Sequence, residues 1–178
     1  MALVVFLRGV NVGGHRTFRP TTLAQELKHL GAVNIGAAGT FVIRRAITRS
    51  QLRAEVTSRI PFATEMAICA GRDIVRLVSR DPFADEIVRP DTVRFVSVPC
   101  RRPRSLPSIP IRFPSNGDAL LTIIARDHQF ILGIYRRHMR AITHLGNLDR
   151  IVGVPLTTRN WNTITAIAAV LGNDAATR

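Results

Sequence analysis

The sequence predicts a mixed α+β fold, and three observations favour that class. Short apolar runs such as residues 3–7 are typical of buried strands. Other segments, such as residues 22–30, place leucines at helical spacing. The two kinds of segment follow one another along all 178 residues, of which 46% are hydrophobic. That share is enough to bury a core.

The first half of the chain predicts a lobe with the element order β-α-β-β-α-β. Its elements are a strand at 3–7, a helix at 22–30, two strands within 34–44, a helix at 48–60 and a strand at 65–70. Thr22 and Gln25 have the spacing of a capping box at the start of the first helix, and Gly31 ends that helix. The two strands are broken near Gly39, which favours a hairpin. This order is that of a ferredoxin-like lobe.

The second half predicts a smaller α+β lobe. A short helix at 72–79 is still part of the first lobe. The elements of the second lobe are strands at 92–98, 109–113, 119–125 and 129–135, a weakly patterned helix at 139–148 and a helix at 161–171. We therefore expect a ferredoxin-like lobe over residues 1–90 and a second lobe over residues 91–178. The sequence leaves open whether the two pack as one globular unit.

The excess of basic over acidic side chains favours anionic partners. The chain carries 25 basic and 12 acidic side chains, a formal net charge of +13. Such an excess attracts anionic small molecules, and it makes non-specific binding of nucleic acid in dilute salt an expected property. Aromatic residues make up only 6% of the chain, which is few for stacking bases.

Other patterns indicate a protein of the cytoplasm. No apolar run approaches the roughly 20 residues of a membrane-spanning helix, and the N-terminal run lacks the basic segment of a secretory signal. We therefore expect no membrane partner. Cys69 and Cys100 form no C-x-x-C pair, and the histidines lack metal-binding spacing, so we expect no metal site. The pattern identifies no cofactor and does not determine the oligomeric state.

The stretch LRGVNVGGHR, residues 7–16, lies between a predicted strand and a predicted helix. Glycines permit positive φ, and successive amides in such a loop can form a nest that binds an anion. Arg8, His15 and Arg16 would add donors. The loop lacks the Gly-Lys-Ser/Thr of a Walker A motif. The alternative is a structural turn in which Asn11 hydrogen-bonds its own backbone.

The stretch TTRNWNT precedes the last predicted helix. Thr158 or Asn160 could cap that helix, and Trp161 could anchor it in the core. Those roles leave Arg159 and Asn162 unexplained. An arginine is unfavourable near a helix N-terminus unless an anion or a carboxylate lies beside it.

We predict that these two stretches face one polar cleft and bind an anionic small ligand of the phosphate or nucleotide type. The predicted ligand-binding residues are Arg8, Asn11, Gly13, Gly14, Arg159 and Asn162. Both stretches offer donors and few acceptors, so one anion would satisfy both. Two alternatives stay open: an enzyme acting on such a ligand, and a nucleic-acid-associated protein whose basic loops contact phosphates. No nucleophile motif names a catalytic residue.

Three stretches resemble a known family. LRGVNVGG at residues 7–14 is similar to the N-terminal signature of the domain-of-unknown-function family numbered 1697, and TTRNWNT at 157–163 is similar to its C-terminal signature. Asp81-Pro82-Phe83 resembles a third, shorter pattern. The resemblance implies an α+β fold with ferredoxin-like parts and no established reaction. Ala38-Gly39-Thr40 stands where the family usually has Ser-Gly-Asn. If the serine and asparagine side chains bind a ligand in relatives, we expect this member to bind it differently or not at all.

Overall fold

The computed structural model describes residues 1–11, 18–87, 89–103 and 108–176. Nine strands in two antiparallel sheets and six α-helices make up this described part, so the mixed α+β class is confirmed. The chain divides into two compact units, Met1–Arg80 with Asn162–Arg178, and Asp81–Trp161. None of the described helices is long and apolar enough to cross a membrane.

The helices and strands follow closely from the sequence pattern. The first unit contains β1 (Leu3–Leu7), α1 (Pro20–Glu26), β2 (Ala32–Asn34), β3 (Thr40–Ile43), α2 (Arg49–Thr57), β4 (Met66–Ala70) and α3 (Gly71–Ser79). The second contains β5 (Thr92–Pro99), β6 (Ile111–Phe113), β7 (Leu121–Asp127), β8 (Phe130–Arg136), α4 (Met139–Gly146), α5 (Leu148–Val152) and β9 (Leu156–Asn160). The last helix, α6 (Trp161–Ala176), belongs to the first unit after its first residue.

The first unit is built around β1. Its sheet has the order β2-β3-β1-β4, with every neighbouring pair antiparallel. All five residues of β1 are buried, which explains why this strand reads as one continuous apolar run. Alternate β1 side chains share a core with Leu23 of α1 and with Leu52 and Val56 of α2. One face of the sheet is therefore covered by the first two helices.

The predicted capping box at Thr22 is wrong. The N-cap of α1 is Arg19, which makes no side-chain cap, and the Thr22 N–H donates to the Arg19 carbonyl at 3.0 Å. Pro20 moves the helix start forward because its fixed φ suits the first helical position. A short 3₁₀ turn, Lys28–Leu30, follows, and Gly31 ends it at φ 64°, the predicted stop.

The second unit contains a five-stranded antiparallel sheet of order β6-β7-β8-β5-β9. One face carries a core that includes Phe95 and Ile131 from the sheet and Leu148 and Val152 from α5. Strand β9 is absent from the predicted elements. It consists of the TTRN half of the C-terminal stretch, with Leu156 before it, and pairs with β5, placing Thr158 opposite Ser97. The polar sequence of β9 does not predict a strand. Two of its hydroxyls are hydrogen-bonded within the sheet, and the sequence alone does not show these bonds.

The division into units differs from the predicted boundary near residue 90. Residues 81–90 belong with the second unit, and nearly all of α6 belongs with the first. The sequence does not predict that α6 packs with the first unit, because hydrophobic periodicity reports local structure and not contacts between distant segments. The name ferredoxin-like for the first lobe stays a prediction. What the structure shows is the antiparallel order given above.

Candidate functional site

The glycine loop begins where β1 leaves its sheet. The Arg8 N–H donates to the Glu65 carbonyl at 2.9 Å, and the Arg8 carbonyl accepts from the Thr64 hydroxyl at 2.7 Å. Two residues later, the Val10 side chain is 2% exposed and lies in the core of the first unit. The backbone of residues 8–10 is therefore fixed on both sides, by the segment that leads into β4 and by the core.

Residues 9–11 have an alternating backbone. Gly9 has φ 61° and Asn11 has φ 55°, while Val10 between them is not in the left-handed region. Within residues 1–11, 18–87, 89–103 and 108–176, no acceptor lies in hydrogen-bonding reach of these three N–H groups. In the pattern called a nest, neighbouring residues of opposite hand turn successive N–H groups toward one concavity, and the positive φ of Gly9 and Asn11 supplies the left-handed part of that pattern. Residues 9–11 are called the nest below. A Cβ at exposed Gly9 would meet nothing within 4 Å, so there is open space beside it.

The Asn11 side chain closes the base of the loop. Its Oδ1 accepts from the Phe18 N–H at 2.9 Å, and its Nδ2 donates to the Ala37 carbonyl at 2.9 Å. The predicted alternative had Asn11 bonding its own backbone, whereas these partners lie seven and 26 positions away. The side chain thus positions the loop, and the Asn11 N–H has no acceptor among the described residues. Gly13 and Gly14 lie outside the described residues.

The turn between β2 and β3 packs against Leu7 and Val10, where the loop begins. Gly39 has φ 69°, and a Cβ there would lie 2.6 Å from Val10 Cγ2 and 2.9 Å from Leu7 Cβ. Its carbonyl accepts from the Leu7 N–H at 2.8 Å. Only glycine fits this position. Ala38 is exposed, and Thr40 is fully buried. An asparagine at position 40 would therefore have to fit inside the unit.

Arg159 lies in the second unit as a buried cation. It is 8% exposed, and its Nη1 donates to the Thr158 carbonyl at 2.8 Å. Burial lowers the pKa of this guanidinium from 12.5 to about 10, and Cys100 opposes the change weakly. The group still carries its charge at neutral pH. A buried charge is costly unless hydrogen bonds compensate it, which makes Arg159 a position where substitution is felt.

Two of the three family-like patterns meet within the second unit. The rings of Phe83 and Trp161 pack edge to face, with centroids 5.0 Å apart. The Arg94 guanidinium carbon lies 5.8 Å from the Phe83 centroid. Trp161 is 7% exposed, as expected for an anchor. Thr158 does not cap α6, because it is a strand residue whose hydroxyl lies 2.7 Å from that of Ser97.

Asn162, the remaining predicted ligand residue, is exposed at the start of α6 and belongs to the first unit. Its carbonyl accepts from the Thr165 hydroxyl at 2.9 Å. The structure thus places Arg8, Asn11 and Asn162 in one unit and Arg159 in the other. Among the described residues, no group of three histidine, cysteine or acidic side chains is placed to hold a metal.

Comparison with known proteins gives the family. The model of the family described as "Protein of unknown function (DUF1697)" matches residues 1–106. The chain belongs to this family. The matched part includes the glycine loop and Asp81-Pro82-Phe83, whereas the TTRNWNT stretch lies beyond it. No curated protein matches the chain.

A solved structure shares the fold. It is described as a conserved bacterial protein from Streptococcus pneumoniae, with a TM-score of 0.59 and 15% sequence identity. The alignment covers 96% of this chain and 98% of that chain. At this identity the likeness concerns the fold alone, and it extends over both units.

Sequence reasoning missed two contributors to this family member's loop. Val10 reads as a spacer between polar residues, yet its side chain fixes the nest by entering the core. Ala37 shows no chemistry in the sequence, because it contributes only its carbonyl to Asn11. A signal for Val10 was present, since it is an apolar residue within a glycine-rich loop.

Proposed function

We propose that the protein binds an anionic small ligand, of the phosphate or nucleotide type, at the backbone amides of Gly9, Val10 and Asn11. The observation that carries the proposal is the alternating backbone of these residues, whose N–H groups meet no acceptor in the described part of the chain. Gly9 is exposed, so solvent reaches the loop, and an anion that displaces water there can accept from these donors. An anion with several oxygens would satisfy all three.

Charge supports an anion over a neutral acceptor. Arg8 immediately precedes the nest, and the segment 12–17 that follows contains His15 and Arg16 but no acidic side chain. The chain as a whole carries a net charge of +13. Charge-assisted hydrogen bonds to an anion are about twice as strong as neutral ones. The same field would raise the rate at which an anion reaches the loop.

The parts played by Arg159 and Asn162 stay predictions. An Arg159→Lys variant keeps the charge and most of the volume but loses the planar fork of donors, so it tests a contact through the guanidinium. An Asn162→Ala variant removes an exposed amide in the first turn of α6. If Asn162 contacts the ligand, its variant binds more weakly while its melting temperature without ligand stays near that of the wild type. Arg159 is buried, so Arg159→Lys is expected to lower the melting temperature in any case, and a ligand contact there is shown by weaker binding in a variant that circular dichroism finds folded.

A melting-shift screen tests the proposed function. Inorganic phosphate, pyrophosphate, nucleotides, sugar phosphates and organic acids are each added to the protein, and a specific ligand raises the melting temperature in a saturable way. Competition between a hit and inorganic phosphate then shows that the anionic group is what binds. Turnover of a hit would identify the enzyme alternative. Equal, salt-suppressed shifts with every polyanion would indicate general electrostatics and contradict the proposal.

Two glycines supply a matched pair of variants. Gly9 and Gly36 are both exposed, have φ 61° and 71°, and have no atom within 4 Å of the place where a Cβ would lie. Alanine at either site therefore carries the same backbone strain, about 1–2 kcal/mol. Only Gly9 belongs to the nest. Gly9→Ala should weaken phosphate binding and Gly36→Ala should not, and equal affinities for the two variants would refute the assignment.

A further inference from the structure

Helix α4 presents an apolar face to solvent. Met139 is 79% exposed and Ile142 is 48% exposed. The two residues are three positions apart, so their side chains lie on the same side of the helix. Large apolar side chains exposed side by side, unlike single ones, are typical of surfaces that meet a partner.

This face borders a cleft of about 480 Å³ within the second unit. Val93 of β5 and Tyr135 of β8 line the cleft together with Met139 and Ile142. Asn160, at the end of β9, contributes to the lining as well. The cleft is large enough to receive one or two side chains of a partner, and its apolar wall would bury them.

The rim of the cleft is basic. Arg137 lines the cleft, and Arg140 follows Met139 on α4. Both are exposed, and in the described part of the chain neither guanidinium has a carboxylate within ion-pair distance. The neighbouring Arg136 differs, because its Nε lies 2.6 Å from the Asp91 carboxylate. That ion pair leaves Asp91 unable to neutralise the other two. Exposed arginines therefore lie at the cleft and beside it, next to its apolar centre.

We propose that this cleft docks an acidic peptide segment of a partner protein, one that inserts an aliphatic or aromatic side chain between flanking carboxylates. Tyrosine, methionine and arginine are residue types enriched at protein interfaces, and all three are present here. The apolar side chains would contact Met139 and Ile142, and the carboxylates would pair with Arg137 and Arg140. Since the basic rim is complementary to acid, the partner's flanks carry the opposite sign.

Two other occupants fit less well. A second copy of this chain in a symmetric dimer would bring the same arginines face to face, which is repulsive. A nucleic acid would leave the aliphatic side chains of Met139 and Ile142 without a partner. Tyr135 is also engaged, since its ring centroid lies 5.9 Å from that of Phe95. It is therefore not a free platform for a base.

Fluorescence anisotropy with defined probes tests the proposal on the full chain. The main probe is a short labelled peptide with leucines at helical spacing between glutamates. A second peptide replaces the leucines by serines, a third replaces the glutamates by lysines, and oligothymidylate stands for nucleic acid. The protein variant is Met139→Glu with Ile142→Glu, and the control is Val75→Glu, a 41% exposed apolar residue on α3. Circular dichroism checks that each variant is folded.

The proposal predicts that the leucine–glutamate peptide binds wild type and Val75→Glu alike, and binds the double variant about tenfold more weakly or worse. The serine and lysine peptides should both bind more weakly to wild type than the main probe. Equal binding of the serine peptide would overturn the proposal, because only charge would then be recognised. It would also be overturned if no peptide bound, or if oligothymidylate bound at the cleft and displaced the main probe.

Discussion

Replacing Asn11 by glycine tests how the loop is held. The change removes the two side-chain hydrogen bonds to the Phe18 N–H and the Ala37 carbonyl, each 2.9 Å long. Glycine adopts the φ of 55° at this position without strain, so the variant isolates the loss of these bonds. A hydrogen bond contributes about 0.5–1.5 kcal/mol, and bonds near the surface fall in the lower part of that range. We expect the free energy of unfolding to drop by about 1–2 kcal/mol.

Urea unfolding of Asn11→Gly and Asn11→Ala at neutral pH measures this directly. Asn11→Ala loses the same bonds and adds the strain of a left-handed backbone. Its free energy of unfolding should therefore be about 1 kcal/mol lower than that of Asn11→Gly. Both variants should also bind phosphate more weakly, because the base of the nest is no longer closed. If Asn11→Gly unfolds at the wild-type midpoint and binds phosphate normally, Asn11 does not position the loop and the reasoning fails.

Three further predictions concern packing and pH. Gly39→Ala should lower the free energy of unfolding by about 2–4 kcal/mol through overpacking and strain. Gly36→Ala should cost only the strain, because there is open space where its Cβ would lie, and equal denaturant midpoints for the two variants would contradict this. In a double-mutant cycle of Phe83→Leu and Trp161→Leu, the edge-to-face contact should give a coupling of about 0.5–1.5 kcal/mol, and additivity would disprove it. Burial, helped by the Asp73 carboxylate, raises the pKa of the Cys69 thiol from 9.0 to about 12. The unfolded chain therefore loses this proton first, so the contribution of the neutral thiol to stability is intact below pH 9 and declines as pH rises toward 12. Urea midpoints against pH should fall less steeply above pH 9 in Cys69→Ala than in wild type, and parallel curves would refute the assignment.

Local pattern was sufficient for most elements of the fold. Apolar residues at helical spacing located α1 and α2, and the continuous apolar run of residues 3–7 located β1 with its bounds unchanged. The weakly patterned segment after residue 138 divided into α4 and α5, with Asn147 between them. These elements were accessible because burial imposes a period on the sequence.

Strand β9 and the grouping of α6 were not accessible in the same way. Thr157 and Thr158 satisfy their hydroxyls on Val98 and Ser97, residues about sixty positions earlier in the chain, so their polarity gives no local sign of a strand. The donors of the glycine loop could be predicted from composition. Their alternating arrangement could not, because it depends on Val10 entering the core and on Asn11 reaching the turn before β3.

Amide chemical shifts of ¹⁵N-labelled protein during a titration with inorganic phosphate test the central claim most directly. If residues 9–11 form the anion site, the amide resonances of Gly9, Val10 and Asn11 move together along one saturating curve. The same curve should weaken in Gly9→Ala and persist in Gly36→Ala. If these three resonances stay in place while signals from exposed arginines drift without saturation, the loop binds no anion and the proposed function is wrong.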